Sequence, residues 1–286
     1  VPTSEEIEKV AIRAARAAGR VHMKRLNHIS VARKTSAIDL VTEADRESEV
    51  AAIEVLQRAF PAHAILAEES GANAFVSEHR WIIDPLDGTT NFAHNYPQFC
   101  VSIAYLRGDR IQAGVIFDAF KRELFVARRG GGARLNGKPI RVTRTASLDS
   151  SLLVSGFPYD RRERRRFYLA YWEGFMMRTH GVRRSGSAAL DLAWVACGRA
   201  DAFWEFGLKP WDIAAGALLI TEAGGRVTNI DGAELDLAGG QIVASNGRIH
   251  QQMLDAMVAI RPDAEQRHAA MLREEAGESA PVTSQG

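Results

Sequence analysis

Apolar residues first recur at helical spacing. Ile7, Val10, Ala11, Ala14, Ala18, Val21 and Leu26 approximate one face of a helix over residues 4–26. Thr3 with Glu6 fits a capping box at its start. A second helix is predicted after Thr42, carrying Val50, Ile53, Val55, Leu56 and Phe60 and stopping before Pro61. The period then changes. ILAE at 65–68 and WIID at 81–84 are short apolar runs that end in acids. FCVSIAYL at 99–106, IQAGVIFD at 111–118 and RELFVARR at 122–129 read as a meander, with Gly108 and Asp109 in the first turn. Asn136-Gly137 marks a hairpin. LLVSG at 152–156 reads as a strand, followed by helices over 161–178, 187–198 and 212–223, the last closed by Gly224-Gly225. RVTNI and QIVAS read as strands, and a helix follows over 248–260. The expected organisation is an N-terminal α+β half (1–145), a C-terminal α/β half (146–261) packed against it, and a polar, disordered tail (262–286).

Composition narrows the class. With 286 residues, 46% hydrophobic and 25% charged, wholesale disorder and coiled-coil rods are excluded. Thirty-six Lys and Arg against 35 Asp and Glu leave a net charge of +1, so the chain is not a general polyanion binder. Cys100 and Cys197 lie in apolar settings and make neither a disulfide framework nor a zinc cluster. No apolar run is long enough to span a bilayer. The reading is a cytoplasmic protein with no membrane contact. The eight histidines form no ligand-spaced pair and read as packing or surface residues. Arg161, Arg162, Arg164, Arg165 and Arg166 form a dense basic run. A solvated helix face is favoured there over contact with RNA or the transcription machinery.

The acids change the picture more. In WIIDPLDGTTNF (81–92) an apolar strand runs into Asp84, Pro85 and Asp87. Pro85 lacks a ladder donor, so the backbone is expected to leave the sheet there. Gly88 permits a close approach that a Cβ would block. Asp84 and Asp87, three residues apart on a rigid bend, can converge on one cation; Mg²⁺ favours such hard oxygen ligands. Taken alone, Asp87-Gly88 is more often the chemistry of a turn than of a metal site. Glu68-Glu69 ends another strand, Asp45 is a capping-box acid after Thr42, and Asp212 follows Pro210-Trp211 as a first-turn acid. Each has this plain reading. Together, acids gathered at element ends are what metal-assisted phosphate hydrolases need.

With those segments read, the chain resembles the inositol monophosphatase family of Mg²⁺-dependent phosphatases, in its bacterial, extragenic-suppressor branch. WIIDPLDGTTNF and WDIAAGALLITEAGG (211–225) carry the match. DLVTEAD (39–45), LAEES (66–70) and GSAALDLAWVACGRADAFWEFGLKPWD (186–212) support it in order. The resemblance implies an α/β fold, a layered α-β-α-β-α sandwich of the sugar-phosphatase type. It implies hydrolysis of myo-inositol monophosphates by a metal-activated water, two or three Mg²⁺, lithium sensitivity and a homodimer. By position, Glu68, Asp84 and the Leu86 carbonyl would hold one ion, and Asp84, Asp87 and Asp212 a second. Glu68 would also reach a third, weaker ion through water. Thr89 with Asp45 would orient the attacking water. The Gly88 and Thr89 amides would receive phosphate, Glu205 the substrate hydroxyls, and Lys34 would lie near the phosphate. Within the family the rival substrates are fructose-1,6-bisphosphate, the phosphoadenosine nucleotide and histidinol phosphate. Outside it, the rival is an RNA- or transcription-associated regulator.

Overall fold

A computed structural model describes residues 2–26, 31–33 and 40–276; Lys34 lies outside them. The chain begins with α1 (Ser4–Arg25), a short ribbon of β1 (Val31–Arg33) and β2 (Leu40–Thr42), and α2 (Glu43–Ala59). Both helices start at capping boxes. Thr3 Oγ1 accepts from Glu6 N at 3.2 Å while the Glu6 carboxylate accepts from Thr3 N at 2.8 Å. Thr42 and Asp45 repeat the arrangement on α2.

An eight-stranded sheet follows, made of β3 (Ala64–Ala67), β4 (Gly71–Ala72), β5 (His79–Asp87), β6 (Cys100–Arg107), β7 (Arg110–Asp118), β8 (Glu123–Arg128), β9 (Gly132–Leu135) and β10 (Lys138–Pro139). The short helix α3 (Thr89–Ala93) interrupts it after β5. The strand order is β10-β9-β8-β7-β6-β5-β3-β4, antiparallel except where β3 runs parallel to β5. A second sheet of five strands contains β11 (Leu152–Ser155), β12 (Gly181–Arg183), β13 (Ala202–Glu205), β14 (Arg226–Thr228) and β15 (Ile242–Ser245), in the order β12-β11-β13-β15-β14. Between its strands come α4 (Arg165–Met176), α5 (Ala188–Ala196) and α6 (Pro210–Glu222), and α7 (His250–Glu275) closes the described chain.

The layers follow from side-chain alternation. On β5, Trp81 and Ile83 pack with α1 and α2, whereas Ile82 points to the other face, against α5 and α6. The last two helices are apolar on nearly every side, as a layer covered on both faces must be. They fill the space between the two sheets with Leu190, Leu192, Ile213 and Leu219, each fully buried and worth about 2 kcal/mol. The fit is close: a Cβ on Gly114 of β7 would lie 2.8 Å from the Ala215 carbonyl oxygen of α6. Leu153, Trp204 and Val243 on the far face of the second sheet pack with α4 and α7. The result is the expected layered α-β-α-β-α sandwich.

Three local expectations are corrected. β5 does not leave the sheet at Pro85; it bulges and continues to Asp87. The helix expected from 161 starts only at Arg165, so Arg161, Arg162 and Arg164 lie in turns rather than on a helix face. The expected tail from 262 is helical to Glu275, with Pro262 inside α7. Proline removes one helical donor there, but Ala264 and Met271 beyond it are fully buried. Arg165 pairs with Glu275 at 2.9 Å, Arg166 with Glu274 at 2.6 Å, and Arg267 with Glu173 at 2.6 Å. Such exposed pairs contribute little each; the buried methionine is the main anchor.

Deleting residues 263–286 should therefore lower the melting temperature by about 5 °C or more, as expected for losing a few kcal/mol of apolar burial. Thermal unfolding followed by circular dichroism checks this. An unchanged melting temperature would show that the helix beyond Pro262 adds nothing.

Candidate active site

The site is built on the β5 bulge. Asp84 stands opposite Ser102 and Asp87 opposite Cys100, so Pro85 and Leu86 together face the single residue Val101. A bulge is one of the few places inside a sheet that tolerates proline. Leu86 N donates to Asp84 Oδ1 at 3.0 Å, closing the turn. Gly88 follows with φ +96°, and a Cβ there would lie 2.8 Å from the Gln98 carbonyl oxygen, so both conformation and space require glycine. α3 begins at the next residue.

Four carboxylates converge on this bend. Asp84 is buried; Asp87, Glu68 and Asp212 are half-buried. Glu68 sits in the turn after β3, and Glu49 of α2 holds that turn by accepting from Glu69 N at 2.8 Å and Ser70 N at 2.9 Å. Asp87 Oδ2 accepts from Ser187 Oγ at 2.6 Å and from Ala189 N at 2.7 Å, so an acid of the first sheet caps α5. Asp212 Oδ2 accepts from Lys209 N at 2.6 Å, which makes it a first-turn acid of α6 as well as a member of the cluster. Burial pushes the Asp84 carboxyl well above the usual range, and the charges of Glu68, Asp87 and Asp212 push it further. Burial and Asp87 do the same to Asp212. Burial also raises Asp87, against the pull of its Ser187 and Ala189 donors.

Among the described residues, no three His, Cys, Asp or Glu side chains enclose a common point as metal ligands would. The carboxyls meet in pairs instead, Glu68 with Asp84 and Asp84 with Asp212. A hydrogen bond between two carboxyls needs a proton in it, and a cation can take that proton's place. Hard oxygen donors of this charge fit Mg²⁺ or a similar ion.

The remaining predicted residues surround this centre. Thr89 Oγ1 lies 2.8 Å from Asp45 Oδ1 and 3.1 Å from the Leu86 carbonyl oxygen. Asp45 is fully buried, and its other oxygen accepts from Thr42 N and Thr42 Oγ1, both at 2.6 Å. Burial raises its pKa while these donors oppose the rise. Glu205, on β13, reaches the site from the second sheet and is 7% exposed. A Cβ on Gly156 would come within 2.3 Å of its carboxylate oxygens. Burial first, then the charge of Asp191, pushes Glu205 well above the usual range. Sequence reasoning had missed Ser187, Glu49 and His22 (described below); only Ser187 left a signal, as a helix N-cap in GSAALD.

A layered α/β scaffold with converging carboxylates beside a Thr–Asp pair is an arrangement that metal-dependent hydrolases use. The inositol monophosphatase family model matches residues 3–264. Inositol-1-monophosphatase of Synechocystis sp. is 52% identical over 238 residues, covering 83% of each chain. Nus factor SuhB of Pseudomonas aeruginosa is 46% identical over 253 residues, 86% of this chain and 93% of that one. Among solved structures, inositol monophosphatase from Anabaena (Nostoc) sp. superposes with a TM-score of 0.82 at 48% identity, covering 89% of this chain and 96% of that one. Staphylococcal inositol monophosphatase-1, solved as a 100 mM LiCl-soaked inhibitory complex, does so with a TM-score of 0.79 at 26% identity, covering 90% and 96%. The chain belongs to the inositol monophosphatase family, whose members are metal-dependent phosphatases.

Because Ser187 orients Asp87 without joining the cluster, Ser187→Ala should weaken the activating-metal midpoint about 10-fold, the scale seen when a ligand's supporting hydrogen bond is lost. The melting temperature should fall by only about 2–4 °C, the cost of a lost helix cap in a chain of this size. Metal titration of both proteins checks this; equal midpoints would make Ser187 a helix cap only.

Proposed function

We propose that the chain hydrolyses myo-inositol monophosphates to inositol and phosphate, with Mg²⁺ as its cofactor. The observation that carries this reading is the convergence of Glu68, Asp84, Asp87 and Asp212, whose charges oppose one another's ionisation, beside the hydrogen-bonded Thr89–Asp45 pair. Asp84, Asp87 and Asp212, with Glu68 and the Leu86 carbonyl, would hold the ions. Bound there, Mg²⁺ supplies positive charge that offsets the phosphate and makes a water more acidic.

The chain's own groups do the rest. Thr89 Oγ1 donates to Asp45 and so turns its lone pairs outward, where it can accept a proton from the attacking water. Asp45, its basicity raised by burial, receives the proton that Thr89 passes on. The water oxygen bonds to phosphorus as the ester P–O bond breaks; the inositol oxygen leaves as an alkoxide that takes a proton from solvent water, and the proton held by Asp45 returns to solvent. The Gly88 and Thr89 amides offer donors to the phosphate oxygens. The Glu205 carboxylate accepts from ring hydroxyls, which suits a polyol better than an aryl ester. Lys34 is proposed near the phosphate on the resemblance alone. A homodimer in the cytoplasm completes the reading; among the described residues, no helix is long and apolar enough to cross a membrane.

A second reading is favoured by the Pseudomonas relative's name, Nus factor SuhB. Arg162 and Arg183 are exposed, Arg184 acts on the carboxylates of Asp87, Asp191 and Glu205, and Arg165 and Arg166 are engaged by α7. Salt-sensitive RNA or RNA-polymerase binding that survives Asp87→Asn would support it.

The deciding experiment is phosphate release from inositol-1-phosphate, fructose-1,6-bisphosphate, the phosphoadenosine nucleotide and histidinol phosphate, with and without Mg²⁺. Inositol-1-phosphate should give the highest kcat/KM, and only with the metal. A higher value for any of the other three would reassign the substrate.

Lithium should inhibit at millimolar concentration and near-uncompetitively. A small hard monovalent ion fits an oxygen-lined magnesium position best while phosphate is still bound and adds ligands. Initial rates against substrate at several LiCl concentrations, with NaCl and KCl at matched ionic strength, check this. Lithium acting no more strongly than sodium would contradict it.

A further inference from the structure

We infer that His22 is a positioning residue: from α1 it hydrogen-bonds the Pro85 carbonyl and so sets the peptide plane that fixes Asp84 and presents Leu86. His22 Nε2 lies 2.8 Å from Pro85 O, across 63 residues of sequence. A carbonyl only accepts, so Nε2 carries the hydrogen. Pro85 falls inside the register shift, where it has no partner residue on β6. The bulge thus takes a buried carbonyl out of the ladder, and His22 satisfies it.

The coupling to the site runs through one rigid unit. Pro85 O and Leu86 N belong to the same planar peptide. His22 holds its oxygen end, and its N–H end donates to Asp84 Oδ1 at 3.0 Å. The next carbonyl, Leu86 O, faces Thr89 Oγ1 at 3.1 Å. Rotating that peptide would release the Asp84 carboxylate and move the Leu86 carbonyl together.

The surroundings argue against histidine as filler. The ring is fully buried, with the Phe92 ring centroid at 5.9 Å and that of Phe99 at 5.8 Å. Its Nδ1 is buried with no hydrogen-bond partner. Burial pulls its pKa down to about 4, so the ring is neutral and Nδ1 bears an unused lone pair. The other inward positions of α1 include Ile7, Val10, Ala11, Ala14 and Ala18. An apolar residue at 22 would fill the same pocket without an orphaned ring nitrogen, but it would leave the buried Pro85 carbonyl unsatisfied. What it would lack is the donor to Pro85.

The effect on catalysis rests on the function proposed above; the effect on the bulge does not. The test compares the full chain with His22→Met, which keeps bulk and helix propensity but removes the donor, and with His22→Gln, whose amide reaches about as far as Nε2. Should H22M not fold, His22→Asn, whose amide stops short of Pro85, takes its place. Amide exchange at Leu86 by NMR, Mg²⁺ binding by calorimetry, kcat and melting temperature are read for each. In H22M, Leu86 should exchange about 10-fold faster and Mg²⁺ bind about 10-fold more weakly, the scale of a lost supporting hydrogen bond, with both recovering to within about 3-fold in H22Q. Unchanged exchange and Mg²⁺ binding in H22M, whatever its melting temperature, would overturn the inference. So would equal impairment of H22M and H22Q, since packing rather than the donor would then be responsible. Amide exchange decides the point without turnover, so a parent chain that hydrolyses none of the esters would sink the proposed function and not this one.

Discussion

Carboxylates drawn from three separate elements meet where the two sheets face each other across α5 and α6, and they cannot all be ionised there unaided. Glu68 follows β3, Asp84 and Asp87 lie on β5, and Asp212 opens α6. Burial raises the pKa of Asp84 and Asp212; the charges of Glu68, Asp87 and Asp212 raise Asp84 further, and those of Asp87 and Glu68 raise Asp212. Such a cluster lowers the stability of the isolated fold, because either charge or protons must be forced on buried groups. It persists because the surrounding structure over-determines it. Backbone amides and hydroxyls fix the acids one by one: Ser187 and Ala189 hold Asp87, Lys209 N holds Asp212, and Leu86 N holds Asp84. Their repulsion is thereby held in place rather than relieved by movement.

The same constraint explains the irregular backbone. A regular strand would send Asp84 and Asp87 to opposite faces, since three residues apart is an odd step. The bulge at Pro85 and Leu86 changes that parity and lets both acids turn toward α5 and α6. Gly88 then reverses the chain at a φ of +96° in a space closed by the Gln98 carbonyl. Proline, bulge and left-handed glycine are three departures from strand geometry within four residues, concentrated at the carboxylate cluster.

Much of this could be read from the chain itself. The face of α1, both capping boxes, the meander and the apolar central helices follow from periodicity and end signals that are local. The acids stood out because each interrupts or ends an apolar run. What escaped was set by distant partners. β5 continues past Pro85 because a bulge absorbs the missing donor, which the proline alone does not reveal. α7 continues past Pro262 because Met271 is buried and three arginines find glutamates on the facing helix, in a stretch whose own composition reads as polar tail. His22 looked like a packing histidine; its partner is a backbone oxygen with no sequence signature. Lys34 lies outside the described residues, so its place in the site rests on sequence alone.

The site also binds the layers together. Asp87 comes from the first sheet yet terminates a helix of the central layer, and Asp212 comes from that layer yet faces Asp84. Glu205 arrives from the second sheet. No single layer contains the full set of oxygen donors, so their spacing is a property of how the layers pack rather than of any one motif. Close approaches such as Gly114 against Ala215, and Gly216 against Leu192 at 2.5 Å from the position of a Cβ, fix that packing far from the acids. A methyl group added at either position would push α6 outward or sideways and carry Asp212 with it. Small residues where the central layer meets its neighbours therefore set the spacing of the acids, and the precision of the carboxylate cluster is inherited from the core.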